Sequence, residues 1–182
     1  MKKMRFFAIA LATLMTLCVV SCKSDDDIEG LVKETLVNGG SPLYLHYKDA
    51  NASYELRLNI SLENNNIVVT GLTDTLNQTG YPTMPGMNTI CGIVDDGKCG
   101  SLSAINEFPE DNEFLDAAGH FVVSVPAAKK HGYIIKVVGD GKLNAYQLPD
   151  IKDPETQYAR LWLEEETSNG FNVKYEFPFT ED

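Results

Sequence analysis

The chain is 182 residues long and carries 15 basic against 26 acidic side chains, a formal net charge of −11. That length suits one ordinary domain or two very small ones, and no Pro/Ser/Gly-rich linker divides it, so one domain is expected. The acidic surplus repels phosphate, which excludes nucleic acid as a partner.

Residues 1 to 21 read as a secretory signal. Lys2, Lys3 and Arg5 precede an apolar run from Phe6 to Val20, and no acidic residue occurs before Asp25. The run is about fifteen residues, short of the roughly twenty that a membrane-crossing helix needs. It ends Val19-Val20-Ser21-Cys22, which resembles the bacterial lipobox. That resemblance implies a diacylglycerol on the Cys22 thiol, cleavage after Ser21, and an outer-membrane protein held by its lipid. Several acyl chains, at about 0.8 kcal/mol per buried CH₂, give stable attachment. Removing three of the fifteen basic residues and none of the 26 acidic ones leaves the mature chain at −14. Residues 22–27 form a short charged tether, and Lys23-Ser24-Asp25-Asp26-Asp27 resembles the acidic export signal of surface lipoproteins of the Bacteroidetes. Surface exposure is expected, with the periplasmic face as the alternative.

The domain proper is expected over 28–182. Ile28, Leu31, Val32, Thr35 and Leu36 fit a short helix stopped by Asn38-Gly39-Gly40, yet Leu31 to Val37 also reads as a strand, the preferred reading. Leu43 to Lys48 follows as a strand. Between Ser53 and Leu62, Tyr54, Leu56, Leu58, Ile60 and Leu62 alternate with polar residues, the mark of a strand with one buried face. Glu63-Asn64-Asn65-Asn66 turns the chain into Ile67-Val68-Val69-Thr70 as a hairpin partner. A Gly/Pro-rich loop spans 71–87, with Tyr81 and Met84 as a secondary binding surface. Inside it Asp74-Thr75-Leu76 resembles the O-glycosylation acceptor of exported Bacteroidetes proteins, which marks Thr75 for modification.

Strands are also expected at Thr89 to Val94, Lys98 to Ile105, His120 to Val125, Tyr133 to Val138, Leu143 to Gln147 and Gln157 to Glu165. Cys91 and Cys99 flank Asp95-Asp96-Gly97, whose composition is turn chemistry. A hairpin there would oppose the two cysteines within disulfide range, and an exported protein favours the bond. The chain ends on Phe171, Val173, Tyr175, Phe177 and Phe179 in alternation, entered through Ser168-Asn169-Gly170 as a hairpin turn. Pro178 ends that strand or places it at an edge. Many short strands separated by turns predict an all-β fold, an antiparallel sandwich or open barrel.

Three blocks, Asn88-Thr89-Ile90-Cys91-Gly92, His131-Gly132-Tyr133, and Tyr158-Ala159-Arg160-Leu161-Trp162-Leu163 running on to Val173-Lys174-Tyr175-Glu176-Phe177-Pro178-Phe179, resemble a family of uncharacterised lipoproteins from gut Bacteroidetes. The resemblance implies fold, organism class and location, and the family brings no established activity with it.

No catalytic residue is singled out. His46, His120 and His131 lack metal-site spacing, no G-x-S-x-G elbow occurs, and neither acidic run has the alternating oxygens of a calcium loop. No cofactor or metal is expected. The expected function is non-catalytic binding of a glycan or a protein partner, or a structural role, with a hydrolase as the alternative. Tyr158, Arg160 and Trp162 share one strand face and are the candidate ligand surface, against a core position for Trp162 with Arg160 packed over it. A binding module should show exposed aromatics on a flat face, and an enzyme should show carboxylates converging in a cleft.

Overall fold

Alternating polarity becomes strand wherever one face meets water. A computed structural model describes residues 24–72, 89–114, 121–139 and 149–180, and these residues contain nine strands in two antiparallel sheets. They are β1 (Val32–Val37), β2 (Leu43–Tyr47), β3 (Leu56–Glu63), β4 (Asn66–Gly71), β5 (Ile90–Lys98), β6 (Val122–Pro126), β7 (His131–Val138), β8 (Gln157–Thr167) and β9 (Gly170–Phe179). One sheet has the order β1-β9-β8-β7-β5 and the other β2-β3-β4-β6. The fold is the expected all-β sandwich, and β1 settles residues 32–37 as strand rather than helix. The expected strand at Leu143 to Gln147 lies outside the described residues, as do Cys22 and Thr75.

The two hairpins follow their turn residues. Glu63 pairs with Asn66, and the intervening Asn64 and Asn65 both adopt positive φ (50° and 61°). This is the two-residue geometry whose twist suits a hairpin and which asparagine tolerates. Ser168-Asn169 joins β8 to β9 in the same short way, with Thr167 paired to Gly170. Pro178 falls where its missing amide does least harm. The β1 pairing has ended at Tyr175, and the β8 register slips between Glu176 and Phe179.

Between the sheets, β3 contributes Leu56, Leu58, Ile60 and Leu62 while β8 contributes Ala159, Leu161 and Leu163, all buried. Tyr133 of β7 also points inward. Its hydroxyl donates to the Pro126 carbonyl (3.0 Å) and accepts from the Ala128 amide (2.9 Å), pinning the β6–β7 turn to the core. Burial pushes that phenol up to about 12.

The five-stranded sheet is covered on its outer face as well. Leu102, Ile105 and Phe114 from the segment after β5 pack on Ile134 and Trp162, with Ile28 and Leu31 beside them. Hence Gly132 to Val138 is buried throughout, a run apolar but for Lys136 and suited to a strand enclosed on both sides. This covering replaces the strand expected at Lys98 to Ile105, because β5 ends at Lys98 and Leu102–Ala104 forms a 3-10 turn whose Leu102 plugs the outer core.

The expected Cys91–Cys99 disulfide is absent, and both thiols are free. Asp95-Asp96-Gly97 does not reverse the chain. It bulges within one strand, Asp95 pairing with Tyr133 and Gly97 with Gly132, so that Asp96 is the extra residue. Gly97 supplies the positive φ (86°), and its amide donates to Asp95 Oδ1 (2.8 Å). Asx and Gly therefore serve a bulge as well as they serve a turn. Eight residues of extended chain set the cysteines roughly 25 Å apart, far beyond the 7 Å limit for a bridge. Burial drives the Cys91 thiol to about 12. Intact-mass and thiol titration without reductant should therefore count two free thiols in the described domain, with Cys91 unreactive until the protein unfolds. A loss of two hydrogens from the native mass would contradict the strand geometry.

Candidate functional site

Arg160 and Trp162 do share one outward face of β8 with Tyr158, as the alternation requires, but that face is not open. Trp162 is 3% exposed and Arg160 8%. The Trp162 indole donates to the Cys99 carbonyl (3.4 Å) and lies beneath two ammonium groups, Lys130 at 4.6 Å and Lys174 at 5.1 Å from the ring centre. Arg160 donates to Glu176 Oε2 and to the Ile105 carbonyl (both 2.6 Å), and its guanidinium stands 4.4 Å over the Phe179 ring. Tyr158 is stacked under Phe108 at 4.0 Å. The expected ligand face is thus corrected to a covered interior layer. Its aromatics and cations hold down the segment from Cys99 to Phe114, which the sequence offers no pattern to place.

The same layer takes in the start of the domain. Asp25 is 8% exposed; its carboxylate accepts from the Ser103 amide (2.9 Å) and from Lys174 Nζ (2.9 Å), and Lys174 also reaches Glu164 (3.2 Å). Burial pushes the Asp25 carboxyl upward, but the Ser103 amide and the Lys174 ammonium together outweigh it and hold it below the ordinary carboxylate value. The residue expected in a charged tether is instead a buried clamp.

The face that does stay open belongs to the other sheet. Tyr44 and His46 alternate outward on β2, an edge strand, with Tyr44 50% exposed. Their rings stack at 5.6 Å between centres and 17° between planes. Across the sheet the register sets Tyr44 beside Asn59, Asn59 beside Thr70, and Thr70 beside Val122, which is 56% exposed. A second row runs Ser61, Val68, Ser124. At strand spacing the platform is about 14 Å wide. Arg57 stands opposite His46, and the Glu55 carboxylate lies between His46 (3.9 Å), Lys48 (3.6 Å) and Arg57 (3.9 Å). Flat aromatic faces with amide, hydroxyl and guanidinium groups beside them suit a ligand that presents both C–H surfaces and hydroxyls. Leu43 to Lys48 was legible as a strand, yet which of its faces would be wet depends on the partner sheet.

A second concavity, about 300 Å³, opens beside the β5 bulge and is lined by Val94, Asp95, Asp96, Glu107, Phe108, Pro109 and Glu113. Asp95 is held by His131 Nδ1 at 3.0 Å and, like the bulge itself, fixes where Asp96 projects. Partial burial, then Asp95, Glu107 and Glu113, raise the Asp96 carboxyl above its ordinary value. Among the described residues, no three His, Cys, Asp or Glu side chains are placed to hold a metal ion.

Comparison with protein families, with curated proteins and with solved structures finds no match to this chain.

The sign of the Asp96 shift sets a testable pH dependence. A carboxyl raised in the folded state opposes folding once it ionises, so Asp96→Asn should raise the melting temperature at pH 7. The gain should shrink as the pH falls into the carboxylate range, where the native side chain is already neutral. Equal melting curves for the two proteins at pH 7 would show that the cleft carries no net repulsion.

Proposed function

We propose that this chain is a lipid-anchored domain of the bacterial outer membrane that recognises glycan through the open face of the four-stranded sheet. The observation that carries the reading is the exposed Tyr44–His46 stack beside Asn59 and Arg57 on a shallow surface. Sugar rings offer C–H faces to such aromatics while their hydroxyls meet the neighbouring amide and guanidinium. Export and anchoring rest on the signal of residues 1–21 and the lipobox ending in Cys22, and the resemblance to gut Bacteroidetes lipoproteins agrees with both. The surplus of acid keeps the domain off anionic polymers, which points to neutral sugars.

A hydrolase is the second reading, favoured by one observation. Asp95 and Asp96 are adjacent carboxylates in unlike surroundings, one held by His131 and one shifted upward in an acidic cleft, the contrast that separates an acid from a base.

Full-length protein extracted in detergent and applied to a glycan array should bind neutral oligosaccharides. Replacing Tyr44 and His46 with Ala should weaken binding by about tenfold, the equivalent of roughly 1.4 kcal/mol. Uniform absence of binding removes the sugar reading and leaves a protein partner. Polysaccharide cleavage that disappears in Asp96→Asn would replace it with the hydrolase. Metabolic labelling should place fatty acid on the wild-type chain and none on Cys22→Ala; an unlabelled wild type would overturn the anchor.

A further inference from the structure

Six residues between a lipid and a domain would ordinarily act as a swivel. A flexible segment of that length has a root-mean-square span of about 13 Å and leaves the attached domain free to turn. This chain leaves no such slack. From Asp25 onward it belongs to the fold, through the 3-10 turn Asp25–Asp27, then Ile28 and Leu31 in the outer core, then β1 at the sheet edge. Asp25 is tied at both carboxylate oxygens, to the Ser103 amide and to Lys174. Cys22 precedes it by three residues, a maximum reach of about 11 Å.

On the reading that Cys22 carries the lipid, we infer that the Asp25 clamp converts the tether into a fixed mount, holding the outer layer of the five-stranded sheet against the bilayer surface. The sandwich then has an assigned orientation. Its membrane-facing side is the layer built on Trp162, Lys174 and Leu102, and the Tyr44–His46 face lies on the opposite sheet, turned away from the lipid. Charge works against the mount at an anionic surface. A mature chain of −14 within 11 Å of a headgroup layer stands at about one Debye length, where repulsion from anionic lipid is still felt, and an unclamped domain would swing outward.

The sole tryptophan provides the readout. Trp162 lies beneath Lys174, which in turn holds Asp25, so its distance to the bilayer reports the mount directly. Lipidated full-length protein is reconstituted into phosphatidylcholine vesicles containing dansyl-labelled phosphatidylethanolamine, and energy transfer from Trp162 to the headgroups is measured alongside co-sedimentation. Ten Gly/Ser residues inserted between Lys23 and Ser24 leave every docked side chain in place and lengthen the reach. They should cut transfer at least to about half, as should Asp25→Ala. Co-sedimentation with weak transfer in the wild type, or with transfer unchanged by the insertion, overturns the mount and leaves the anchor standing. Wild-type protein that stays in the supernatant overturns the anchor and the mount together.

Discussion

The five-stranded sheet must bury both of its faces, and the rest of the structure depends on that constraint. Its inner face meets the four-stranded sheet, as in any sandwich. Its outer face carries Ile134 and Trp162, which at roughly 25 cal/mol per Å² are costly to leave in water. Among the described residues no third sheet covers them. The chain uses irregular segments instead, and a segment without ladder hydrogen bonds needs other partners to stay in place.

Those partners are cations on three adjacent strands. Lys136 of β7 contacts Asp111, Arg160 of β8 caps the Ile105 carbonyl while paired to Glu176, and Lys174 of β9 holds Asp25. The Arg160–Glu176 and Lys174–Asp25 pairs are enclosed at both ends and screened far less than a surface pair, so removing one member would strand a buried charge, whereas Lys136 is buried against an Asp111 that faces water. A chain poor in basic residues thus places several of them where they fasten the cover, which leaves its exterior more acidic than composition alone implies. The Trp162 ring, contacted by Lys130 and Lys174, adds the electrostatic attraction of its face to the same fastening.

Where one strand face is wet, the fold was legible in the sequence. Leu56 to Leu62 and Phe171 to Val173 announce both strand and buried side, and Asn64-Asn65 and Ser168-Asn169 announce their hairpins. Legibility fails at two kinds of place. Asp95-Asp96-Gly97 carries residues that satisfy a bulge and a turn by the same side-chain-to-amide bond, so local chemistry cannot choose between them, and the disulfide expectation went with the wrong choice. Tyr158, Arg160 and Trp162 look like a ligand face because period two shows that they point together, yet only the distant segment containing Leu102 and Ile105 decides whether they meet water. The open platform at Tyr44 and His46 was missed for the converse reason, since two rings on a five-residue edge strand look like core until the packing of the sheets is known.

The pairing of β1 with β9 also orders events in time. Val32 lies opposite Tyr175 and Val37 opposite Gly170, so the first strand of the domain hydrogen-bonds to the last. Asp25 and Lys174 close across the same span. A polypeptide emerging amino-terminus first from a ribosome therefore presents β1 without its strand partner until β9 has been made. Closure of that distant loop is slow relative to local contacts. The β1–β9 seam is the last weld of the described fold, made after the β3–β4 and β5–β7 pairings have become possible.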